Sequence, residues 1–497
     1  MNTFKRKSLY AALAGIGALG VTGAAQAVNV NPDGLGQALI YPYYTTNGPG
    51  VGGTLAPYNS LLSVVNSTGS GKVVKVRFIE SRNSKEVLDF NLWLSPYDVW
   101  TAAIIPSGAG AGIFSTDLSC TTPPVSASAS SPTNFVNFAY VGDPELQTLA
   151  RTKEGYVEII EMGVVTGGNL ANITHAQPSP PGTPPGCGKL PTGSTAPTDL
   201  VAGFGGLFGG ISLVNVLAGG DITENAVALA SFCSAPCTTL WAPAGSIQPN
   251  LTQVNPKVSV VFNNTTVVTT DWTTAPLGAP PVQGQDPVSA VLMVNNIYNE
   301  YVLDANTRSA TDWVVTMPTK TLYYGNSNFN VTKLFQRNFR LNGACDDVGL
   351  TVYNREEQSV LGSFSPPPPT LTNSLCWEAN VITFNSSTGG VLQSPLVLNL
   401  GVTNFPNGWA DLNLFGGVSG VNSATGPAHQ LIGGATTVIS TATGAAATQI
   451  NATYSGLPAV GFAAQYFNNG TLTGPGGTGV QAFYTGSFPH RYTRSIQ

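Results

Sequence analysis

Charged residues are scarce in this chain. Asp, Glu, Lys and Arg together make up 9% of its 497 residues, against roughly a quarter in an average soluble protein. The formal net charge is −5, and Lys and Arg form no cluster beyond the N-terminus. A nucleic-acid partner requires a basic patch that attracts phosphates, so this composition argues against nucleic-acid binding.

Histidine is also nearly absent, with only His175, His429 and His490 in the chain. A histidine-centred triad needs one of them beside a Ser or Cys and a carboxylate. Neither a Gly-x-Ser-x-Gly elbow nor a His-Glu-x-x-His zinc motif occurs. The glycine-rich segments 69–72 and 203–209 miss the phosphate-loop and dinucleotide patterns. The sequence therefore predicts a protein that is not an enzyme and holds no organic cofactor.

Carboxylates are the remaining route to catalysis, since two of them suffice for glycoside hydrolysis. Glu158 and Glu161 lie an odd number of residues apart on one predicted strand, so they face opposite sides. The adjacent acids at 346–347 and 356–357 lie in polar surroundings typical of turns. A secreted hydrolase whose carboxylates meet only in the folded chain stays open as an alternative.

The first 27 residues have the pattern of a cleavable secretory signal peptide. A basic Lys-Arg-Lys segment at 5–7 precedes an apolar stretch at 9–21, and Ala-Gln-Ala at 25–27 matches a cleavage site. The apolar stretch is shorter than a membrane span of about 20 residues, and no transmembrane segment is expected after cleavage. Cleavage would change the net charge from −5 to about −8. The expected location is extracellular, at the cell surface or in the periplasm.

Six cysteines in an exported chain predict three disulfides. Fifteen connectivities are possible for six cysteines, and pairing each with its nearest neighbour is the simplest. Metal ligation is disfavoured, because no His lies near the closest pair in sequence. The predicted disulfides are Cys120–Cys187, Cys233–Cys237 and Cys345–Cys376.

Short strands and turns fit the abundant Gly and Pro better than long helices do. Segments 73–80 and 87–94 alternate apolar and polar residues, which predicts a sheet with one buried and one solvated face. The polar segment 81–86 joins them as a hairpin loop, and 61–65 is the preceding strand. Such a meander is typical of immunoglobulin-like sandwiches. Further strands are predicted at 155–162, 211–216, 226–232, 257–262, 311–317 and 461–467.

Four segments rich in Pro, Ser, Thr and Gly interrupt the strands, at 121–134, 176–199, 273–286 and 363–373. They are long loops or linkers, because proline pairs cannot join a sheet interior. We place one domain boundary in the third segment. The predicted fold is all-β, with an immunoglobulin-like β-sandwich domain with loop insertions at 28–280, a second β-rich domain at 281–497, and long Pro/Gly-rich loops.

Two sets of residues are candidate binding sites. Asp304, Asn306 and Asp312 offer oxygen ligands that suit calcium, although their spacing departs from the EF-hand pattern. The second set is aromatic and would bind glycans or anchor a partner; its members are Tyr43, Tyr44, Trp93 and Trp100.

Trp93 is the central member of the aromatic set. By strand parity it belongs to the polar face of its strand, where an exposed indole could stack on a sugar. The alternative is that Trp93 packs under a loop, or over Arg77 as a cation–π pair.

Several strings together resemble a group of exported cell-surface proteins of Gram-negative bacteria. The resemblance spans most of the chain after the leader and implies export and display on the envelope. It carries no catalytic residue. The strings are Asp-Gly-Leu-Gly-Gln at 33–37, Tyr-Pro-Tyr-Tyr at 41–44, Leu-Asp-Phe-Asn at 88–91, Leu-Ser-Pro-Tyr-Asp-Val-Trp at 94–100, Thr-Asp-Trp-Val-Val-Thr at 311–316 and His-Arg-Tyr at 490–492.

The favoured hypothesis is a non-enzymatic exported surface or envelope protein with a structural or self-associating role. Its expected partners are copies of itself or components of the envelope or matrix. A glycan-binding, adhesin-like module is the first alternative, because exposed aromatic side chains can stack on sugars. The secreted hydrolase is the second alternative.

Overall fold

The fold is known from a computed structural model. Residues 1–25 of the predicted leader and the candidate ligand Asn306 lie outside the residues it describes. The described residues are 26–48, 57–176, 182–216, 219–275, 282–304, 307–324, 334–335, 343–362, 373–384, 390–399, 405–416, 429–441, 443–449, 451–473, 475–477 and 479–497.

Among the described residues of the first half of the chain, short β-strands make up most of the regular structure, together with one α-helix and several short 3₁₀ segments. The strands are β1 (Asn29–Val30), β2 (Ala38–Thr45), β3 (Asn59–Asn66), β4 (Gly71–Glu80), β5 (Glu86–Leu94), β6 (Val99–Ser107), β7 (Gly110–Phe114), β8 (Cys120–Thr122), β9 (Thr133–Asn134), β10 (Glu154–Val165), β11 (Leu200–Val201), β12 (Leu207–Asn215), β13 (Gly220–Asn225), β14 (Val227–Ala230), β15 (Val258–Asn263) and β16 (Thr266–Asp271). The helix is α1 (Gly167–Ile173), and the 3₁₀ turns are Phe138–Tyr140, Leu149–Lys153, Cys187–Lys189 and Leu251–Gln253.

The second half follows the same plan. Its strands are β17 (Met293–Val294), β18 (Asn296–Val302), β19 (Ala310–Thr316), β20 (Asp346–Asp347), β21 (Gly349–Asn354), β22 (Ser359–Leu361), β23 (Ser374–Leu375), β24 (Ala379–Thr383), β25 (Val397–Asn399), β26 (Asn407–Asn413), β27 (Gln430–Ile432), β28 (Thr436–Ser440), β29 (Ala446–Gln449), β30 (Thr453–Ser455), β31 (Leu457–Pro458), β32 (Val460–Thr473), β33 (Gly479–Pro489), β34 (Arg491–Thr493) and β35 (Ser495–Ile496). The helix is α2 (Asp286–Leu292), and 3₁₀ turns are at Lys320–Tyr323 and Pro475–Gly477.

The prediction of an all-β chain is confirmed, because strands dominate the described residues and the two α-helices among them are only seven residues long. Each predicted strand segment overlaps an observed strand. The period of two is clearest at 73–80 and 87–94, and it favours an extended chain over a helix, whose period is 3.6. Among the described helices, none has the length and hydropathy of a membrane span.

Two stacked antiparallel sheets form the N-terminal part of the molecule. Sheet I has the order β1-β14-β2-β10-β4-β5-β8, with β11 added beside β10. Sheet II has the order β13-β12-β3-β6-β7-β9. Their facing side chains, among them Phe78, Phe90, Trp100 and Ile211, form one hydrophobic core. Alternate residues of the central strands enter this core, as expected when two sheets pack face to face.

A third sheet contains two neighbouring strands, β24 and β19, that are buried on both faces. Sheet III has the order β25-β24-β19-β32-β33. On β19, Val314 joins the core of sheets I and II, while the adjacent Trp313 and Val315 join a second core. Because successive strand residues point to opposite faces, one strand supplies both cores.

Sheet IV covers that second core. It has the order β22-β21-β26-β18-β34. Its inner face supplies Ile297, Val352 and Leu412, and the outer face of sheet I supplies Ile40 and Ile160 to the same cluster. The opposite face of sheet IV carries exposed aromatic and polar side chains, which are described below.

Strands from the two sides of residue 280 share sheets as well as cores. In a four-stranded sheet, β16 pairs with β28 so that Thr266 lies opposite Ser440 and Thr270 opposite Thr436. Val261 and Leu229 lie in the same cluster as Trp313. The division into domains at 280 stays a prediction, and the two stretches of chain are in direct contact.

All three predicted disulfides are present: Cys120–Cys187, Cys233–Cys237 and Cys345–Cys376. The first joins the edge strand β8 to the 3₁₀ turn at 187–189. It thereby ties the middle of the Pro-rich segment 176–199 to sheet I. All six cysteines are engaged.

Candidate functional site

The predicted aromatic binding residues lie inside the protein. Tyr43 and Tyr44 are fully buried on β2; the Tyr43 hydroxyl donates to Glu154 Oε2 at 2.7 Å and the Tyr44 hydroxyl to the Thr152 carbonyl at 3.1 Å. Trp100 is buried in the core between sheets I and II. None of these three rings is exposed in this structure, and their assignment to a ligand site stays a prediction.

Trp93 is buried as well, so the expectation of an exposed indole is wrong. Its Nε1 donates to Thr122 Oγ1 at 3.0 Å, and its ring packs against Trp241 with centroids 5.8 Å apart. Strand parity placed it correctly on the face opposite the sandwich core. That face is covered by the loop between β14 and β15, to which Trp241 belongs. The alternative of packing under a loop is therefore the correct one.

The candidate calcium ligands are engaged in other contacts. Asp312 is buried on β19, where its carboxylate accepts hydrogen bonds from Thr383 Oγ1 and the Leu392 amide, both at 2.8 Å. Asp304 accepts from the Thr307 amide within its own turn. Among the described residues, no group of three or more His, Cys, Asp or Glu side chains is placed to hold a metal ion. The carboxylates of the two described aspartates thus accept hydrogen bonds from neighbouring protein groups.

Ion pairs cover the outer face of sheet I, which the sequence predicted to be solvated. Lys75 and Arg77 are buried there, and the prediction of a solvated face is wrong. The loop between β14 and β15 contacts this face at two points. Its Pro243 carbonyl accepts from Lys75 Nζ at 2.7 Å, and its Gly245 amide donates to Asp89 Oδ2 at 2.8 Å. The loop that buries Trp93 therefore covers this face too.

Burial without pairing would cost several kcal/mol per charge, so each cation on this face meets a carboxylate. Glu158 and Glu161 face opposite sides, as predicted, and each is paired with a different cation. The ion pairs of described residues in which both side chains are at most 15% exposed are Lys72–Glu161, Lys75–Asp89, Arg77–Glu86, Arg77–Glu158, Arg151–Glu80, Arg151–Asp143 and Lys320–Asp346.

Asp286 at the start of α2 gives the protein a predictable pH dependence. Burial raises its pKa from the usual 3.8 to about 7, although the Gln283 amide, the Tyr323 hydroxyl and Lys257 each favour the charged form. The folded state therefore holds a proton that the unfolded state releases between about pH 4 and pH 7. By linkage, the free energy of unfolding falls by about 4 kcal/mol over that interval through this group.

Replacing Asp286 with Asn should remove this contribution. We expect the unfolding free energy of the wild type, measured relative to Asp286→Asn by urea denaturation, to drop by about 4 kcal/mol from pH 4 to pH 8. A difference that stays constant across this range would show that Asp286 titrates in the folded protein as it does in the unfolded chain.

Sheet IV carries the aromatic surface that sequence analysis missed. On its open face, Tyr353 of β21 lies directly opposite Trp409 of β26, which lies opposite Glu300 of β18. The rings of Tyr353 and Trp409 are stacked, with centroids 4.1 Å apart and planes 6° from parallel. Tyr298 lies one rung along, with its centroid 6.3 Å from that of Trp409. We call this set of three rings the aromatic ladder.

Polar groups continue the ladder along the same face. Asp411 lies opposite Tyr298, and Arg491 of β34 lies on the other side of Tyr298. Asn296 Nδ2 donates to Asp411 Oδ1 at 2.7 Å. Partial burial raises the pKa of Asp411, while this hydrogen bond opposes the shift. The face thus combines aromatic rings with both acceptors and donors of hydrogen bonds.

A period-2 signal for this face was present in the sequence. Segment 407–414 reads Asn-Gly-Trp-Ala-Asp-Leu-Asn-Leu, with Trp409 and Asp411 on one side and Ala410 and Leu412 on the other. The same alternation places Tyr298 and Glu300 on one side of β18. Which three strands lie side by side is decided by long-range pairing, so the ladder itself was not visible in any single segment.

The outer face of sheet II is the second open surface. Directly opposed residues form a rung of Phe208, Val65 and Val99, and the next rung contains the small residues Gly210 and Ser63. A trough of about 580 Å³ lies over this small rung, and the residues that line it include no charged side chain. A face of this composition can accept a flat apolar surface.

Comparisons of the chain with protein-family models, with characterised proteins and with solved structures find no match. The open faces of sheets II and IV are the candidate sites. One carries exposed apolar side chains beside a trough of uncharged residues, and the other is aromatic and rich in hydrogen-bonding groups. The two faces suit different partners.

Proposed function

We propose that this chain is a non-enzymatic, exported surface or envelope protein that self-associates through the outer face of sheet II. The observation that carries the proposal is the apolar character of that face. Leu61, Val99 and Phe208 are 45%, 48% and 42% exposed there. Exposed apolar patches on soluble proteins commonly mark association sites.

A second copy of the chain is the partner that this face suits best. In a two-fold interface the same patch meets itself, so a charged patch would repel its copy. The trough between the strands is lined by hydroxyls, small residues and apolar side chains, without charge. Two such faces can approach without like-charge repulsion, and the side chains of the Phe208 rung can enter the trough of the partner copy.

The proposal includes the fold type and the compartment. Sheets I and II form the sandwich module, which we assign to the immunoglobulin-like type on the facing sheets and their shared core. The predicted meander of three consecutive strands is wrong, because β3 pairs with β6 in sheet II while β4 and β5 form a hairpin in sheet I. Three disulfides support an oxidising compartment beyond the cytoplasm. Together with the leader pattern, they support display on the cell surface or in the envelope.

A charge placed on the face should abolish self-association. We expect the protein lacking residues 1–27 to form dimers or larger species by sedimentation, and Thr101→Glu to be monomeric, because each copy would then bring a carboxylate into the uncharged interface. Ser359→Glu, at an exposed strand position of sheet IV, is the matched control and should behave as wild type. A wild-type protein that stays monomeric at all concentrations contradicts the proposal.

A further inference from the structure

We infer that the open face of sheet IV is a binding site for a neutral oligosaccharide, centred on Trp409. This site is separate from the self-association face on sheet II and goes beyond the proposed function. The indole of Trp409 is stacked on Tyr353 and is still 40% exposed. Because β26 lies between β21 and β18, the ring face that Tyr353 leaves free is turned toward β18.

The free side of the indole is bordered by hydrogen-bonding groups. Glu300 is exposed and lies directly opposite Trp409 on β18. In the next rung, Asp411, Tyr298 and Arg491 lie side by side across three strands. Carboxylates accept hydrogen bonds from pairs of hydroxyls, and a guanidinium donates to hydroxyl and ring oxygens.

This combination matches the chemistry of a pyranose ring. A pyranose has one face of C–H groups, which packs on an aromatic surface, and a rim of hydroxyls, which needs donors and acceptors. Stacked rings that are fixed by cross-strand pairing lose little conformational freedom when a ligand binds, and such preorganisation favours affinity. Trp409 and Tyr298 lie in successive rungs of the sheet, so that successive sugar units of one oligosaccharide can contact the two rings.

The same groups disfavour other classes of ligand. The core of a protein–protein interface is depleted of charged residues, whereas Glu300, Asp411 and Arg491 lie around the ladder. A nucleic acid would meet two carboxylates and one cation, which repel its phosphates on balance. An acidic polysaccharide would meet the same net negative charge. A neutral carbohydrate is the ligand that satisfies both the rings and the carboxylates.

Trp409 also provides the means of testing the site. All seven tryptophans are described; Trp409 is exposed and Trp241 is partly buried. The other five, which are Trp93, Trp100, Trp272, Trp313 and Trp377, are at most 2% exposed. Acrylamide should therefore quench mainly the fluorescence of Trp409, and a sugar seated on its ring should protect it.

The experiment uses the protein without residues 1–27. A glycan array first identifies neutral oligosaccharides that bind, and cellohexaose, chitohexaose and mannohexaose serve as soluble probes. Each sugar is then titrated into the protein, and its binding is measured by calorimetry and by the decrease in acrylamide quenching of tryptophan fluorescence. We expect at least one neutral probe to bind and to reduce quenching. Trp409→Ala should weaken binding by about tenfold or more, which corresponds to the loss of one stacking contact.

Two variants serve as controls. Phe138→Ala removes a ring that is 79% exposed and lies on a different part of the chain, and it should leave binding unchanged. Thr101→Glu disrupts the proposed self-association face and should also retain sugar binding, so failure of one proposal is distinguishable from failure of the other. Unfolding midpoints of all variants establish that they fold.

Three results would overturn the inference. The first is an array on which no neutral glycan binds the wild type. The second is a bound glycan whose affinity is the same for Trp409→Ala. The third is binding only of acidic glycans or of another protein at the ladder, since the carboxylates would then not act as acceptors for neutral hydroxyls.

Discussion

Replacing Cys120 and Cys187 together with Ala is expected to lower the free energy of unfolding by about 4 kcal/mol on the chain-entropy model. The bond joins residues 67 positions apart, and a cross-link over a long loop removes much freedom from the unfolded chain. Cys120 is buried beside Trp93 and Met162, so Ala keeps the position apolar. Urea denaturation of both proteins under non-reducing conditions measures the difference.

The Cys233–Cys237 bond is the matched control within the same chain. Its cysteines are only 4 positions apart, and the same model gives about 2 kcal/mol for its removal. The expected result is therefore an effect about twice as large for Cys120–Cys187. Equal losses for the two pairs would show that native contacts, and not loop length, govern these disulfides.

Replacing Lys72 with Met is expected to cost about 3–5 kcal/mol of unfolding free energy, because it leaves a buried carboxylate without its cation. Lys72 Nζ lies 2.6 Å from Glu161 Oε1, and both side chains are fully buried. Glu161 also accepts a hydrogen bond from the Gly205 amide at 2.7 Å. Burial raises the pKa of Glu161 even beside Lys72, so the variant should be more stable at pH 5 than at pH 8, relative to wild type.

A double-mutant cycle isolates the ion pair. Glu161→Gln keeps an acceptor for Gly205, so the combination with Lys72→Met should recover a large part of the loss. Lys85→Met is the control, since Lys85 is 38% exposed and lies 3.7 Å from Asp143; it should cost less than about 1 kcal/mol. Strictly additive effects of the two replacements would contradict an energetic coupling between Lys72 and Glu161.

The part of the fold that could be predicted is the part that strand periodicity reveals, namely which residues of a strand share a face. The alternation at 73–80 and 87–94 correctly assigned Phe78 and Phe90 to one face and Trp93 to the other. It could not tell that both faces are buried. Asn91 Nδ2 donates to the Ala242 carbonyl, 151 positions away, and no local pattern reports a contact of that range.

The candidate binding residues show the same difference between what a local pattern predicts and what long-range contacts decide. Tyr43, Tyr44, Trp93 and Trp100 were chosen because aromatic residues cluster in sequence, yet aromatic residues also supply the largest buried side chains of a core. The aromatic ladder joins Tyr298, Tyr353 and Trp409, which are distant in sequence. Clustering in sequence and clustering on a surface are different properties when strands pair over long range.

The sequence by itself determined the all-β class, the positions of the clearest strands and the residues that share a face of each. These follow from local chemistry, namely the period of two in an extended chain. The nearest-neighbour pairing of the cysteines was one choice among fifteen, and the structure decided it. The tertiary structure alone decided which faces are covered, because loops and sheets from distant parts of the chain supply the cover. It buried the charges of sheet I beneath the loop at 241–245, and it left the rings of sheet IV open to solvent.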